Sequence, residues 1–286
     1  MFTAKIRNAL GEMLTLTGRE AAYQITSIRG LNPPGAVVNI SSIAGMDGGV
    51  FNSSKLETRN IVITLRINGD VEQNRLNLYR FFKTKENCTF FFKNGSRDVS
   101  IDGYIDTFEV DLFQRGQTAQ ISIVCPQPYF HALDEIMQNS SNVTPLFTFP
   151  FTINAGSPVV ISSLDDSALV IISNNSETGT GINVEVDFRA ACNSFELKNT
   201  TSGEGMKFAY SFENGDTLLI NTNSGHKSVR LIRGGVVSPL LSALQIGSAF
   251  FQLLPGDNIF EYLIDGAENP SAVNIIFRYR IAYRGV

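Results

Sequence analysis

Apolar and polar residues alternate over several stretches in the first half of the chain. Within Asn60–Asn68, every second residue from Ile61 to Ile67 is a branched aliphatic residue. This period of two predicts a strand with one face in a core, because successive side chains of a strand point to opposite faces. The same pattern predicts strands over Thr107–Phe113 and Gln117–Cys125. Shorter strands are predicted over Met13–Leu16, Tyr23–Ile28, Cys88–Lys93 and Val99–Ile105, with an Asn94-Gly95 hairpin turn between the last two.

One segment repeats instead with the period of a helix. Asp70 is a helix-capping residue type, and Gln73 follows three residues later as in a variant of the capping box. Apolar residues then recur at helical spacing as Leu76, Tyr79 and Phe82. The sequence therefore predicts one substantial helix over Val71–Lys83 that packs on the sheet.

The stretch between Leu31 and Arg59 has little periodicity of either kind. Its turn-forming groups are Asn32-Pro33-Pro34-Gly35 and Asp47-Gly48-Gly49. Loops of this length inside compact domains are commonly functional or mobile. Two readings are open: a surface loop, or an arm that becomes ordered only against another subunit. For the arm, the candidate oligomer-contact residues are Asn32, Pro33, Pro34, Asp47, Gly48 and Phe51.

The second half of the chain is predicted to be a separate domain. Asn139-Ser140-Ser141-Asn142 followed by Pro145 is the best linker, so the domains are predicted over residues 1–145 and 146–286. A short helix is predicted just before this linker, over Ala132–Asn139. Short strands at regular spacing then favour a sandwich or jelly roll. They are predicted over Val159–Ile161, Ala168–Ser173, Ile182–Phe188, Ser194–Leu197, Met206–Tyr210, Thr217–Asn221, Ser228–Ile232, Ala249–Leu254 and Ala272–Tyr283.

Clustered phenylalanines in the first domain leave two interpretations open. Phe90, Phe91 and Phe92 are consecutive on one predicted strand, so both faces of that strand must be covered. Phe81 and Phe82 end the predicted helix. The helix and the core can cover the two faces, or a neighbouring subunit can cover one of them.

Composition and charge exclude several classes of protein. The chain has 286 residues, with 23 Lys and Arg against 27 Asp and Glu, for a formal net charge of −4. A nucleic-acid binder needs a basic footprint, so we expect no sequence-specific nucleic-acid binding. No apolar run approaches the roughly 18 residues of a membrane span. The 21 Phe and 8 Tyr argue against disorder.

Candidate chemistry is sparse. His131 and His226 have no partner pattern, and Asp98, Asp102 and Asp106 lack the central Gly and final Glu of a calcium loop. The three cysteines are far apart and odd in number, which favours reduced thiols in a protein made in a cytoplasm; they are Cys88, Cys125 and Cys192. We therefore predict no enzyme activity, no cofactor and no metal site.

A series of short motifs runs through the whole chain in a characteristic order. In the first half these are Tyr23-Gln24-Ile25-Thr26, Gly30-Leu31-Asn32-Pro33-Pro34, Asp47-Gly48-Gly49-Val50-Phe51, Asn60-Ile61-Val62-Ile63, Leu78-Tyr79-Arg80-Phe81-Phe82 and Cys125-Pro126-Gln127-Pro128-Tyr129-Phe130. In the second half they are Gly215-Asp216-Thr217-Leu218, Gly225-His226-Lys227-Ser228-Val229, Gly247-Ser248-Ala249-Phe250-Phe251, Pro255-Gly256-Asp257-Asn258 and Tyr279-Arg280-Ile281-Ala282-Tyr283-Arg284-Gly285. This order resembles the distal tail protein family of siphophages that infect Gram-positive bacteria.

The resemblance implies a fold and a structural role. It implies a mainly β chain, with a tail-tube-like N-terminal domain that carries one helix and a galectin-like β-sandwich behind it. Six copies would close a ring, or two rings back to back, at the distal end of a phage tail. The partners implied are the tail tube protein, the tail-associated lysin or hub protein, and receptor-binding or baseplate proteins. DNA would pass through the ring, and the protein would be made in the host bacterial cytoplasm before it enters the virion.

Two other functions compete with this structural role. A glycan-binding adhesin would use the second domain as a lectin, but the chain has no Trp, and Tyr210 and Tyr262 are weak substitutes as stacking platforms. A hydrolytic tail component would need a catalytic constellation that the sequence lacks. The adaptor role is therefore the preferred hypothesis, with the lectin as its alternative.

Overall fold

A computed structural model describes residues 2–17, 22–113, 116–140, 143–145, 162–164, 169–266 and 272–286. These residues fall into two compact units. Unit 1 comprises Met1–Leu133 together with Ala282–Val286, and unit 2 comprises Asp134–Ile281. The sequence predicted a change of domain near residue 145, whereas the compact units change over between Leu133 and Asp134, and the last five residues return to unit 1.

The secondary structure of the described residues is mainly β, which confirms the predicted fold class. Up to residue 133 the elements are β1 (Thr3–Arg7), β2 (Met13–Thr15), β3 (Tyr23–Arg29), β4 (Ala36–Ser41), β5 (Val50–Leu56), β6 (Arg59–Ile67), α1 (Val71–Phe81), β7 (Asn87–Asn94), β8 (Arg97–Asp111), β9 (Thr118–Cys125) and β10 (Phe130–Ala132). From residue 134 they are β11 (Ile136–Asn139), β12 (Val143–Pro145), β13 (Ser162–Leu164), β14 (Leu169–Asn174), β15 (Asn183–Phe188), β16 (Ser194–Asn199), β17 (Glu204–Phe208), β18 (Thr217–Asn221), β19 (Ser228–Arg233), β20 (Val236–Pro239), a 3₁₀ turn over Leu241–Ala243, β21 (Gly256–Asp265), β22 (Val273–Tyr279) and β23 (Ala282–Tyr283).

Unit 1 is built on a large antiparallel sheet. Among its described residues the strand order is β2-β1-β7-β8-β9-β6-β3, and β10 pairs with both β8 and β23 beside this path. β6 shows the predicted alternation. Every second residue from Ile61 to Ile67 is buried in the core, whereas Asn60 and Arg66 on the other face are exposed. The two strands predicted over Val99–Ile105 and Thr107–Phe113 form one long strand, β8. A bulge between Ile105 and Thr107 allows this strand to bend at that point and continue.

The helix of unit 1 begins where the capping pattern indicates. The Asp70 carboxylate accepts a hydrogen bond from the Gln73 backbone N–H at 3.2 Å, which satisfies one of the free donors of the first turn. α1 then spans Val71–Phe81, within the predicted Val71–Lys83. Its Leu78 is fully buried against the sheet, and Phe82 directly after it is buried as well. Burial of these two side chains holds the helix on the sheet.

The predicted helix over Ala132–Asn139 is wrong. The chain there ends β10 and then forms β11, and both segments are held by strand pairing. His131 pairs with Ser100 of β8, and Ile136 of β11 pairs with Tyr279 of β22. These partners lie far away in sequence, so local helical spacing gave no sign of them.

Unit 2 is a two-layer sandwich in its described residues. One sheet has the order β11-β22-β15-β18-β19-β20 and the other the order β14-β21-β16-β17. Inward-facing residues of both sheets form one hydrophobic core, in which the Phe188 ring stacks on Phe212 with centroids 4.1 Å apart. The sandwich prediction thus holds for the architecture of this unit.

Some strands of unit 2 depart from the prediction. β21 (Gly256–Asp265) is one of the two inner strands of the smaller sheet, yet the sequence pattern predicts no strand between Leu254 and Ala272. The predicted strand Ala249–Leu254 contributes a single bridge, between Leu253 and Thr180. Val159–Ile161 lies outside the described residues.

The chain leaves unit 1 after β10 and returns to it at β23. These two short strands pair with each other, with Phe130 opposite Tyr283 and His131 opposite Ala282. Unit 2 is therefore an insertion whose two ends are neighbouring strands of unit 1.

Gly103 of β8 provides a test of the core packing in unit 1. A Cβ at this position would lie 2.7 Å from Ile123 Cγ2 and 2.9 Å from Cys125 Sγ, because the residue faces the core between two strands. We expect Gly103→Ala to lower the free energy of unfolding by about 1–3 kcal/mol through overpacking, measured by urea denaturation. Gly179→Ala is the matched control, since its Cβ would meet only ordinary contacts at 3.8 Å. Equal stability of the two variants would contradict this account of the core.

Candidate functional site

The stretch from Leu31 to Arg59 is a β-hairpin rather than an aperiodic loop. β4 and β5 pair with each other from Ala36–Leu56 to Ser41–Val50, with a bulge after Asn39. In the described residues neither strand pairs with the large sheet. The hairpin therefore forms a two-stranded sheet of its own, and such isolated hairpins are only marginally stable in water without further packing.

The two faces of this hairpin differ in chemistry. One face, here called the apolar hairpin face, carries Ala36, Val38, Ile40, Phe51 and Leu56. The opposite face is largely polar: Asn39 donates to Ser53 at 2.9 Å and Asn52 donates to Ser41 at 2.5 Å. This cross-strand alternation is the pattern of a sheet with one buried side.

The apolar hairpin face is nevertheless exposed. Ile40 and Phe51, which lie directly opposite each other, are 63% and 62% exposed, and Val38 is 51% exposed. Ile43 and Met46 continue the exposed apolar surface towards the tip. Contiguous exposed apolar surface of this kind is typical of a protein–protein contact.

The predicted arm residues fall at three different places on the hairpin. Asn32, Pro33 and Pro34 precede β4 at the root, whereas Asp47 and Gly48 lie at the tip. Phe51 alone belongs to the apolar hairpin face. The structure therefore does not bring the predicted residues together as one contact patch.

The root of the hairpin is fixed by residues that the sequence analysis did not single out. The side chain of Arg59, which directly follows the hairpin, is only 3% exposed and donates to the backbone oxygens of Asn32 at 2.6 Å and Pro128 at 2.8 Å. It also donates to Gly30 O. Burial lowers the pKa of Arg59 from its ordinary value. Gly30 has a positive φ of 87°, and any Cβ there would collide with Asn60 O.

Within unit 1, the consecutive phenylalanines of β7 lie on both faces of the strand. Phe90 and Phe92 face the core, and their rings stack with centroids 6.1 Å apart. Phe91 lies on the opposite face, half-buried, with the Arg7 guanidinium 5.3 Å from its ring centre. The core thus covers one face of this strand, and within the single chain the face that carries Phe91 is only partly covered.

A shallow depression in the described part of unit 2 is lined by an aromatic side chain. It has a volume of about 530 Å³ and is lined by Asn193, Ser194, Ala209, Tyr210, Ser211, Glu213 and Arg233. The Arg233 guanidinium lies 5.5 Å from the Tyr210 ring centre and pairs with Asp216 at 2.5 Å. Arg233 and Tyr210 therefore already have partners within the chain. Tyr262, the other stacking candidate, is buried in the core.

Among the described residues there is neither a cluster of metal-ligand side chains nor a membrane-spanning helix. No group of three His, Cys, Asp or Glu among them is close enough to hold a metal ion. Within the same residues, no helix has the length and apolar character needed to cross a bilayer. Asp98, Asp102 and Asp106 all lie on β8, and His226 lies in the turn between β18 and β19.

Part of the second half of the chain is similar to a family of phage tail proteins. Residues 175–280 match the family model described as siphovirus-type tail component, C-terminal domain. No curated protein sequence matches the chain.

Solved structures share the fold along the whole chain. The crystal structure of the SPP1 Dit (gp 19.1) protein, described as a paradigm of hub adsorption apparatus in Gram-positive infecting phages, is 16% identical with a TM-score of 0.69, over 98% of this chain and 99% of that chain. A chain of the phage P2 baseplate in its activated conformation with Ca is 12% identical with a TM-score of 0.57, and both chains are covered fully, at 100%. The same baseplate with Sr gives 12% identity and a TM-score of 0.54, over 98% of each chain. The resemblance to the distal tail protein family is thereby confirmed.

The three buried cysteines test whether the cores of both units keep reagents in solution away from their thiols. Burial raises the pKa of Cys88 and of Cys125 to about 12, and that of Cys192 to about 11. Because the thiolate is the reactive form, we expect iodoacetamide at pH 8 to modify the folded protein at least about a hundredfold more slowly than the unfolded protein. Mass spectrometry of the folded and denaturant-treated protein measures both rates. Fast modification of any of the three in the folded protein would contradict the buried positions described here.

Proposed function

We propose that this chain is a structural component of a phage tail tip, in which copies of it form a ring that connects the tail tube to the tail-associated lysin or hub protein. Receptor-binding or baseplate proteins would attach around this ring during host adsorption and DNA ejection. The apolar hairpin face carries the proposal, because a single chain of this fold leaves it exposed to water. Two relatives in fold support it: the SPP1 Dit protein is described as a hub of an adsorption apparatus, and the P2 chain is part of a baseplate.

The hairpin supplies the kind of contact that closes a ring. A contact between different surfaces of identical chains gives a ring when the rotation between neighbours closes. In such a ring, the apolar hairpin face of one copy would bind a different surface of the next copy. Six copies, or twelve in two rings, is the number that the family resemblance suggests.

The same proposal makes the protein a passive conduit and not an enzyme. The formal net charge of −4 is compatible with a conduit through which DNA passes without strong phosphate binding. No sequence-specific nucleic-acid contact and no membrane insertion are part of the proposal. The protein would be made in the cytoplasm of the host bacterium and would function in the virion.

Glycan binding by unit 2 is the second candidate function. The depression beside Tyr210 favours it, because it combines an aromatic ring with polar side chains such as Asn193 and Glu213. Against it, Arg233 is engaged with Asp216 and with Ser211 O, which leaves few free donors for a sugar. The structural role is therefore preferred.

The mass in solution tests the ring. We expect light scattering behind a sizing column to give about six or about twelve times the chain mass of 31.4 kDa, because the apolar hairpin face should be buried between copies. The measurement is made over a range of concentrations. A dimer, or a monomer that persists when the purified tail-tube protein is added, would contradict the ring.

The hairpin contact is tested by changing one face at a time. We expect Ile40→Ser with Phe51→Ser to shift the protein to smaller species, since burial of each such side chain contributes about 1.5–3 kcal/mol per contact. Val37→Ser with Val50→Ser is the matched control on the polar face, where Val50 lies opposite Ser41. Light scattering and circular dichroism are measured for both variants. The arm assignment is wrong if both variants assemble like the unmodified chain.

A glycan array with the purified protein tests the alternative. The structural role predicts no binding of the unmodified protein to bacterial cell-wall glycans at concentrations up to about 10 μM, which would occupy most of any site with a dissociation constant of about 1 μM. Binding that is lost in Tyr210→Ala and kept in Tyr104→Ala, a change of an exposed tyrosine in unit 1, would instead support the lectin.

A further inference from the structure

The residues after β23 lie against the root of the hairpin. Val286 N–H donates to Leu31 O at 3.1 Å, and a Cβ on Gly285 would lie 3.0 Å from that same oxygen and 3.1 Å from Pro33 Cδ. The contact is thus a close backbone approach along the segment that leads into β4. It involves only residues of unit 1.

Two arginines hold this arrangement through backbone oxygens of adjacent residues. Arg59 donates to Arg284 O at 2.6 Å with the same guanidinium that binds Asn32 O and Pro128 O, and it lies 4.5 Å from the Phe130 ring centre. Arg97 donates to Gly285 O and lies 4.5 Å from the Tyr283 ring centre.

Every hydrogen bond that Arg59 makes within the described residues goes to a backbone carbonyl. Its acceptors belong to three separate segments: the one before β4, the one before β10, and the one after β23. A planar guanidinium with five fixed N–H donors can join several acceptors in a defined geometry. Lysine, with a single ammonium on a flexible stem, does not reproduce that geometry.

We propose that Arg59, Arg97 and residues 284–286 form a clasp that sets the direction in which the β4–β5 hairpin projects. The hairpin strands make no ladder with the large sheet in the described residues, so their direction is determined at the root. The root on the β4 side is bonded to Arg59 and to the 284–286 segment. Opening the clasp therefore frees the hairpin to swing while the large sheet keeps its pairing.

The clasp also involves the strands through which the chain passes to and from unit 2. β10 and β23 carry the two stacked rings, Phe130 and Tyr283, and they pair with each other. A displacement of either strand would move an acceptor of Arg59 or Arg97. The clasp is a conformational device of the single chain, and it does not depend on whether the hairpin binds a second copy.

Pulsed EPR distances test the clasp. Spin labels on Lys55→Cys in β5 and Lys83→Cys after α1 report the hairpin direction, and labels on Thr15→Cys and Lys83→Cys report the sheet. Both pairs use exposed positions, and the native thiols are buried. Labelled protein is diluted with unlabelled protein so that only distances within one chain are measured. The measurement is repeated with Ile40→Ser and Phe51→Ser present, so that a neighbouring copy does not hold the hairpin.

We expect Arg97→Gln and Arg59→Lys each to widen the hairpin distance distribution at least twofold and to leave the sheet distribution unchanged. Lys5→Gln, an exposed charge removed from β1, should change neither. An unchanged hairpin distribution in a folded Arg97→Gln variant would overturn the proposal, and so would equal widening in Lys5→Gln. If Arg59→Lys fails to fold, Arg97→Gln still tests the proposal, because the Arg97 side chain is only partly buried and its replacement should leave the fold intact.

Discussion

The buried guanidinium of Arg59 is the interaction on which the root of the hairpin in unit 1 depends. Removing a cation from water is costly unless hydrogen bonds replace its hydration, and here backbone oxygens from Gly30, Asn32, Pro128 and Arg284 do so. Since arginine keeps its proton at any physiological pH, the charge stays in place and needs all of these acceptors. Segments that are distant in sequence are thus fixed to the start of β6 by a single side chain.

A second constraint follows from the amphipathic hairpin. Its strands satisfy each other's backbone groups, but their apolar side chains find no cover within the described part of the chain. The polar face, with its Asn39–Ser53 and Asn52–Ser41 hydrogen bonds, is compatible with water. The fold therefore separates two tasks: the root determines where the hairpin points, and the apolar hairpin face determines what it can bind.

Local patterns in the sequence were sufficient for elements whose side chains alternate against their own core. β6 and the capped start of α1 are of this kind, because Asp70 and the run from Ile61 to Ile67 carry the whole signal. β4 and β5 were missed because their apolar residues face outward and the bulge at Asn39 interrupts the period. The Ala132–Asn139 error has a different origin, because the strand partners of β10 and β11 are distant in sequence. Likewise, nothing near Arg59 in the sequence shows that its acceptors lie at residues 30, 128 and 284.

The closeness of β10 and β23 has a consequence for how such proteins can diversify. Because the inserted unit starts and ends at adjacent strands, its replacement by a larger, smaller or unrelated fold would alter no strand register in unit 1. An exchangeable module at this point lets one scaffold carry different second domains. Such an exchange must preserve two features: the pairing of Phe130 with Tyr283, and the backbone oxygens of Arg284 and Gly285 that accept from Arg59 and Arg97.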